Sequence, residues 1–269
     1  MRSCINGATT MPYSLEEDLK AAGAAGFEGV EIWAAKLDRY LESRSVDELR
    51  RLLDDNGLEV GALCPYTLSC FGEDTHADRL KRAAEIAAEV DCDTLLVCPD
   101  TPPEGMGVYD AFRQAGQRAA ERADDIASFG VDLAIEPLGD HPFVPGPREA
   151  MRIIEIANHP GVGLMMDTFH YYKSGVGLED IGAIPVELLR IVHVNDCEDR
   201  PRGELTDKHR LYLGEGVIPL EAMFGLLKAM RYEGFLSVEI FRDEYWGKPA
   251  AKIAKASKAS LDRAVARLL

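Results

Sequence analysis

Residues 131–168 read VDLAIEPLGDHPFVPGPREAMRIIEIANHPGVGLMMDT: an apolar β-rich run, a longer helical stretch, then a second β-rich run. VDLAIE, like DTLLVC at 93–98, is continuously apolar rather than alternating, which suits a strand covered on both faces of a parallel sheet. The same alternation runs outward in both directions. Upstream lie strand candidates at Arg2–Gly7, Gly29–Trp33, Leu58–Cys64 and Asp93–Cys98. Val131–Pro137 and Gly163–Thr168 follow, and downstream come Arg190–Asn195 and Leu236–Phe241. Eight β-rich runs separated by helical stretches fit a single (β/α)8 TIM barrel of the α/β class. An open doubly wound sheet would share the alternation, but no GxGxxG follows the first strand, so neither that fold nor a nicotinamide cofactor is expected.

The segments between the strands begin and end as helices do. Ser14-Leu-Glu-Glu17 and Ser45-Val-Asp-Glu48 both carry the S-x-x-E capping box, in which Ser and Glu each satisfy an amide left free by the helix start. Gly57, Gly130 and Gly234 stand just ahead of the next strands, where glycine can take a left-handed turn. The alanine- and lysine-rich stretch Ala250–Leu269 is expected as the helix that closes the ring. With no linker, low-complexity segment or repeat, residues 1–269 read as one domain.

Composition narrows the function classes. The net charge is −16, from 46 acidic and 30 basic residues. That field repels a polyanion, so nucleic acid is not an expected partner. No apolar run reaches the roughly 18 residues of a membrane span, and the N-terminus lacks the basic start and apolar run of a secretion signal. A cytoplasmic protein with no membrane partner is the expectation. The six cysteines, Cys4, Cys64, Cys70, Cys92, Cys98 and Cys197, form no CxxC pair. Core packing is their expected role, not a disulfide framework or a nucleophile.

Active groups of such barrels stand at the C-terminal ends of the strands. The last four strands end in AIEP, MMDTFH, VHVND and VEIF, placing Glu136, Asp167, His193 and Glu239 at one rim. One acid at a strand end has an ordinary explanation in a salt bridge or solvent. Four metal-capable side chains on successive strands do not, because unpaired buried carboxylates are costly. Three carboxylates and an imidazole suit one divalent ion of intermediate hardness, Mn²⁺ first, with Zn²⁺, Co²⁺ or Mg²⁺ as alternatives. Glu31 and Trp33, at the end of the second strand, and Trp246, after the last, are candidate substrate-binding residues; Asn6 and His141 are further candidates. Trp246 equally suits a subunit interface, which leaves a homo-oligomer open.

With these residues in view, the chain resembles the xylose-isomerase-like superfamily of sugar isomerases and epimerases over essentially its whole length. The stretch VHVNDCEDRPRGELTDKHRLYLGEGVIPLEAMFGLLK at 192–228, followed by GFLSVEIFRDEYW at 234–246, is similar to the inosose isomerases of that superfamily. The resemblance implies that Glu136, Asp167, His193 and Glu239 hold the metal, and that Glu136 and Glu239 are also the catalytic acid/base pair. It implies substrate-gripping roles for His170, in the D-x-x-H pattern after Asp167, and for Arg210, four residues before Gly214. The implied reaction moves the ketone of a keto-polyol or keto-sugar to the neighbouring carbon through a cis-enediolate.

Two departures shape the expected substrate. Ketohexose 3-epimerases carry a further Glu six residues after the first ligand, where this chain has Pro142, so an inosose-type ketone is favoured over a free ketohexose. Asp207-Lys208-His209 resembles the D-x-H metal pair of endonuclease IV, but the stretches LCPYTLSC and VCPDTPPEG lack that enzyme's earlier histidines, and His76 lies too far along. No strong phosphate-binding glycine loop precedes the C-terminus, which points to an unphosphorylated substrate. Hydroxypyruvate isomerase, a keto-glycoside-processing enzyme or dehydratase, and a non-catalytic carbohydrate-binding subunit are the alternative readings.

Overall fold

In the computed structural model, which describes residues 1–267, eight parallel strands close into a barrel in the order β1-β10-β7-β6-β5-β4-β3-β2. They are β1 Arg2–Asn6, β2 Gly29–Trp33, β3 Glu59–Leu68, β4 Thr94–Pro99, β5 Asp132–Ile135, β6 Val162–Asp167, β7 Leu189–Val194 and β10 Phe235–Val238. Two short strands, β8 Asp196–Cys197 and β9 Arg210–Leu211, pair antiparallel in the loop above β7. The helices that cover the ring are α1 Leu15–Ala25, α2 Ala34–Leu41, α3 Val46–Asn56, α4 Ala77–Glu89, α5 Val108–Ile126, α6 Pro147–Ala157, α7 Thr168–Ser174, α8 Leu178–Gly182, α9 Leu220–Ala229, α10 Asp243–Trp246 and α11 Ala250–Ala266. The expected strands recur within a few residues of their expected bounds. The capping boxes at Ser14 and Ser45 form as the sequence requires.

Three expectations shift. β3 runs four residues beyond Cys64, because after a register break Tyr66, Thr67 and Leu68 resume pairing with β4. β10 stops at Val238, since the Ile240 amide donates to the Thr9 hydroxyl (3.0 Å) instead of continuing the ladder. Gly57 and Gly130 take the left-handed conformation, but Gly234 does not; Arg231, at φ +60°, makes that turn after α9. Gly234 is needed for space, because a Cβ there would run into the Tyr232 ring. The last helix ends at Ala266 with Arg267 as its C-cap, and Leu268 and Leu269 of its expected span lie outside the described residues.

Alternation along each strand sorts the side chains into two cores. Leu63, Leu95, Leu133, Leu164 and Val192 belong to the large core shared with the helices. Ala62, Cys64, Leu96, Ala134, Met165 and Ile191 make a second, smaller cluster inside the ring. Period-two geometry therefore aims the residues two further on, Glu136, Asp167 and His193, into the same interior, one layer above. Glu239 follows Ser237, itself paired in register with His193, on the neighbouring strand. Apolar side chains of this cluster fill the layer below, so the acidic layer above rests on a packed floor.

Candidate metal centre

Glu136, Asp167, His193 and Glu239 converge, each buried, with one ligand atom apiece lying within 4.8 Å of the others. His193 Nδ1 stands 3.2 Å from Glu239 Oε2 and 3.8 Å from both Glu136 Oε1 and Asp167 Oδ2. Asp167 is held by its outer oxygen. Oδ1 accepts from the Phe169 amide (2.7 Å), capping α7, and from Asn195 Nδ2 (3.2 Å), while Oδ2 faces the cluster. Asn195 also donates to the Glu239 carbonyl (3.2 Å), so one amide ties the ends of β6 and β10 together.

Arg210 reaches in from the loop above β7. Its Nη1 donates to Asp167 Oδ2 (2.7 Å) and Glu239 Oε2 (3.1 Å), and Nη2 lies 3.1 Å from His170 Nε2. The guanidinium lies over the Phe169 ring, 4.6 Å from its centroid, and is fully buried. Asp207 grips its outer edge, accepting from Nε (3.0 Å) and Nη2 (2.8 Å). His170 Nε2 is 3.8 Å from Glu136 Oε1.

The charges around the centre set its protonation. Burial pushes the Glu136 carboxyl up to about 8, with Glu239 and Asp167 adding to the rise and His193 opposing it. Burial also opposes ionisation of Asp167, but Arg210 and then His170 hold it well below the usual carboxylate range. The His193 imidazole would be pushed down by burial, yet Glu239 and Glu31 outweigh this and raise it well above its ordinary value. Burial lowers His170 to about 4, leaving a neutral imidazole beside the arginine.

These residues fit a divalent cation. His193 Nδ1 is buried, makes no hydrogen bond and points at three carboxylates. An unsatisfied buried nitrogen among crowded carboxylates is costly, and a dication removes both costs at once. Carboxylate oxygens plus one imidazole form a mixed donor set suited to a divalent transition metal.

Above the cluster lies a cavity of about 320 Å³, lined by Trp33, Cys98, Glu136, His170, Arg210 and Phe241 among others. The other candidates fall elsewhere. Glu31 is fully buried beneath the cavity, bonded to His193 Nε2 and Ser237 Oγ, so it has no access to a substrate. Trp246 stands behind Phe241, ring centroids 6.4 Å apart, and donates to the Ala8 carbonyl (3.1 Å). Asn6 accepts from the Ala8 amide and donates to Cys64 Sγ; His141 Nδ1 accepts from the Phe143 and Val144 amides, shaping the loop after β5. Asp207 is engaged by Arg210, and His209 accepts from the Thr206 amide (3.0 Å), so this pair makes no second metal site. Among the described residues the one convergent group is the four-residue cluster. Asn195, Asp207 and the stacked Phe169 were not among the site residues expected from sequence. Asn195 carried a signal, as an amide following the metal-capable histidine in VHVND.

Residues 19–264 match the model of a family described as the xylose isomerase-like TIM barrel. An inosose isomerase of Halalkalibacterium halodurans is 30% identical, the alignment covering 96% of this chain and 94% of that protein. A 3-dehydroshikimate dehydratase of Pseudomonas aeruginosa is 29% identical over 88% of this chain but only 37% of its own length. Among solved structures, the IolI protein with a bound zinc atom superposes with a TM-score of 0.91 at 27% identity, covering 100% of this chain and 99% of that one.

Proposed function

The chain belongs to the xylose isomerase-like TIM barrel family, and from that premise we propose that it is a metal-dependent isomerase of a cyclic polyol ketone of the inosose type. One observation carries the reading: two buried glutamates, Glu136 and Glu239, share one cluster with Asp167 and His193 under a small cavity gripped by Arg210. At about 320 Å³ the cavity lies at the small end of the usual ligand-pocket range of roughly 300–1,000 Å³, suiting a single ring.

Glu136, Asp167, His193 and Glu239 would hold the ion, Mn²⁺ being our assignment. When bound, a dication supplies a sink for the negative charge that develops on the substrate oxygens. The protein does the rest. One glutamate removes the proton from the carbon beside the ketone, and a glutamate returns a proton to the former carbonyl carbon. The hydroxyl oxygen of the first carbon becomes the new carbonyl, and the old carbonyl oxygen ends as a hydroxyl. Arg210 and His170 hold these two oxygens and add fixed positive and dipolar groups where charge grows. Trp33 and Phe241 supply apolar faces for the C–H side of the ring.

On this reading the chain acts as one barrel domain in the cytoplasm, on a small molecule and not on nucleic acid, alone or as a homo-oligomer. The test is NMR of 2-keto-myo-inositol incubated with the Mn²⁺-loaded protein in D₂O, beside hydroxypyruvate and keto-glycosides. Expected is the neighbouring-carbon ketone isomer, with deuterium on the carbon that loses the ketone. Brisk turnover of another ketone with no inosose converted would overturn the substrate assignment, and isomerisation without deuterium uptake would point to a hydride shift or to a proton shielded from water, so that the acid/base roles of Glu136 and Glu239 would need revision.

A further inference from the structure

His193 is reached from behind by a carboxylate that no ligand role explains. Glu31 lies on β2, separated from β7 round the ring by β1 and β10, and crosses the barrel interior to meet the imidazole. Its oxygens stand 3.0 and 2.8 Å from His193 Nε2, and the second accepts from Ser237 Oγ at 2.8 Å. Glu31 is fully buried and His193 only 1% exposed, so water does not compete for these bonds. A buried carboxylate is retained at a cost, and a purely apolar floor would have packed the same space.

The geometry assigns a use for that cost: we propose that Glu31 is a positioning residue for the metal centre, fixing the His193 ring so that Nδ1 alone faces the ion. An imidazole has two nitrogens and can rotate or change tautomer. A carboxylate spanning Nε2 keeps the proton on that nitrogen, leaves the Nδ1 lone pair for the metal and raises its donor strength. Ser237, paired in register with His193, fixes the carboxylate in turn, so the strut is anchored to the strand next to the ligand it serves. This inference rests on the metal reading of the four-residue cluster, not on the identity of the substrate.

The test measures metal binding directly. Zn²⁺ and Mn²⁺ dissociation constants are obtained by chelator competition for the full chain and for Glu31→Gln and Ser237→Ala, with the Tm of each metal-free protein recorded alongside. Glu31→Gln keeps the shape and a weaker acceptor, and should loosen the metal by about 10- to 100-fold. Ser237→Ala, which removes one bond to the strut, should give a smaller loss in the same direction. In the zinc-loaded parent protein, ¹⁵N NMR of the histidine rings should find a proton on His193 Nε2 and none on Nδ1. Unchanged metal affinity in a folded Glu31→Gln overturns the role. So does a proton on Nδ1 in the zinc-loaded parent, a readout that stands even if Glu31→Gln fails to fold. A parent protein that retains no metal defeats the metal centre itself and this role with it.

Discussion

At the scale of single residues the site is a charge balance. Three carboxylates and a fourth behind the histidine crowd a buried pocket, and Arg210 is a fixed positive charge among them. On the proposed mechanism, replacing Glu136 or Glu239 by Gln keeps the shape and removes a base and a ligand charge together. Each variant should turn over at least about 100-fold more slowly, the lower end of the usual general acid–base contribution. Metal content measured on the same samples separates the two losses. If either variant holds its metal and keeps near-normal kcat, that glutamate is not in the proton path.

At the scale of elements, the turn that follows β1 connects stability to the site. Lys36 on α2 is buried and donates to Asp18 on α1 (2.6 Å), to the Gly7 carbonyl (2.9 Å) and to the Thr10 carbonyl (2.8 Å). Within that turn Thr9 donates to the Val238 carbonyl and accepts from the Ile240 amide, bracketing Glu239 from both sides. One lysine thus ties two helices to the loop that fixes the end of β10. Lys36→Met leaves Asp18 buried without its partner, a change that typically costs about 3–5 kcal/mol. Urea unfolding of the metal-free protein should register a loss of that size, and weaker metal retention should accompany it as Glu239 loosens. A loss below about 1 kcal/mol would make the buried pair dispensable.

At the scale of the whole molecule, the proposed ligands come from four strands of one ring, so an ion held among them would tie β5, β6, β7 and β10 together and favour the folded chain over the unfolded one. Stripping the metal should lower Tm, and restoring it at 100 times Kd should return about 2.7 kcal/mol. Elemental analysis should find one ion per chain; three zinc ions would revive a nuclease, and an unaltered Tm with no retained ion would remove the centre. The sequence by itself determined the ring of eight strands and the four residues at its rim. Both are local matters: apolar runs mark strands, and period-two alternation fixes which side chain at a strand end faces inward. Tertiary structure alone decided what stands behind and above those four. Glu31, expected to line the pocket, is drawn under it because ring closure carries β2 within reach of β7, a proximity no spacing along the chain encodes. Trp246, a candidate substrate-binding residue, instead supports Phe241, which lines the cavity, because its indole donates to the Ala8 carbonyl of the turn after β1. Arg210 follows Asp207, Lys208 and His209 in a loop of mixed charge, and it is buried against Asp167 and Glu239 only because the loop above β7 folds inward. Side-chain direction along a strand is set by covalent geometry, whereas contact across the barrel depends on how all eight strands close, and that is settled only when the whole chain has folded.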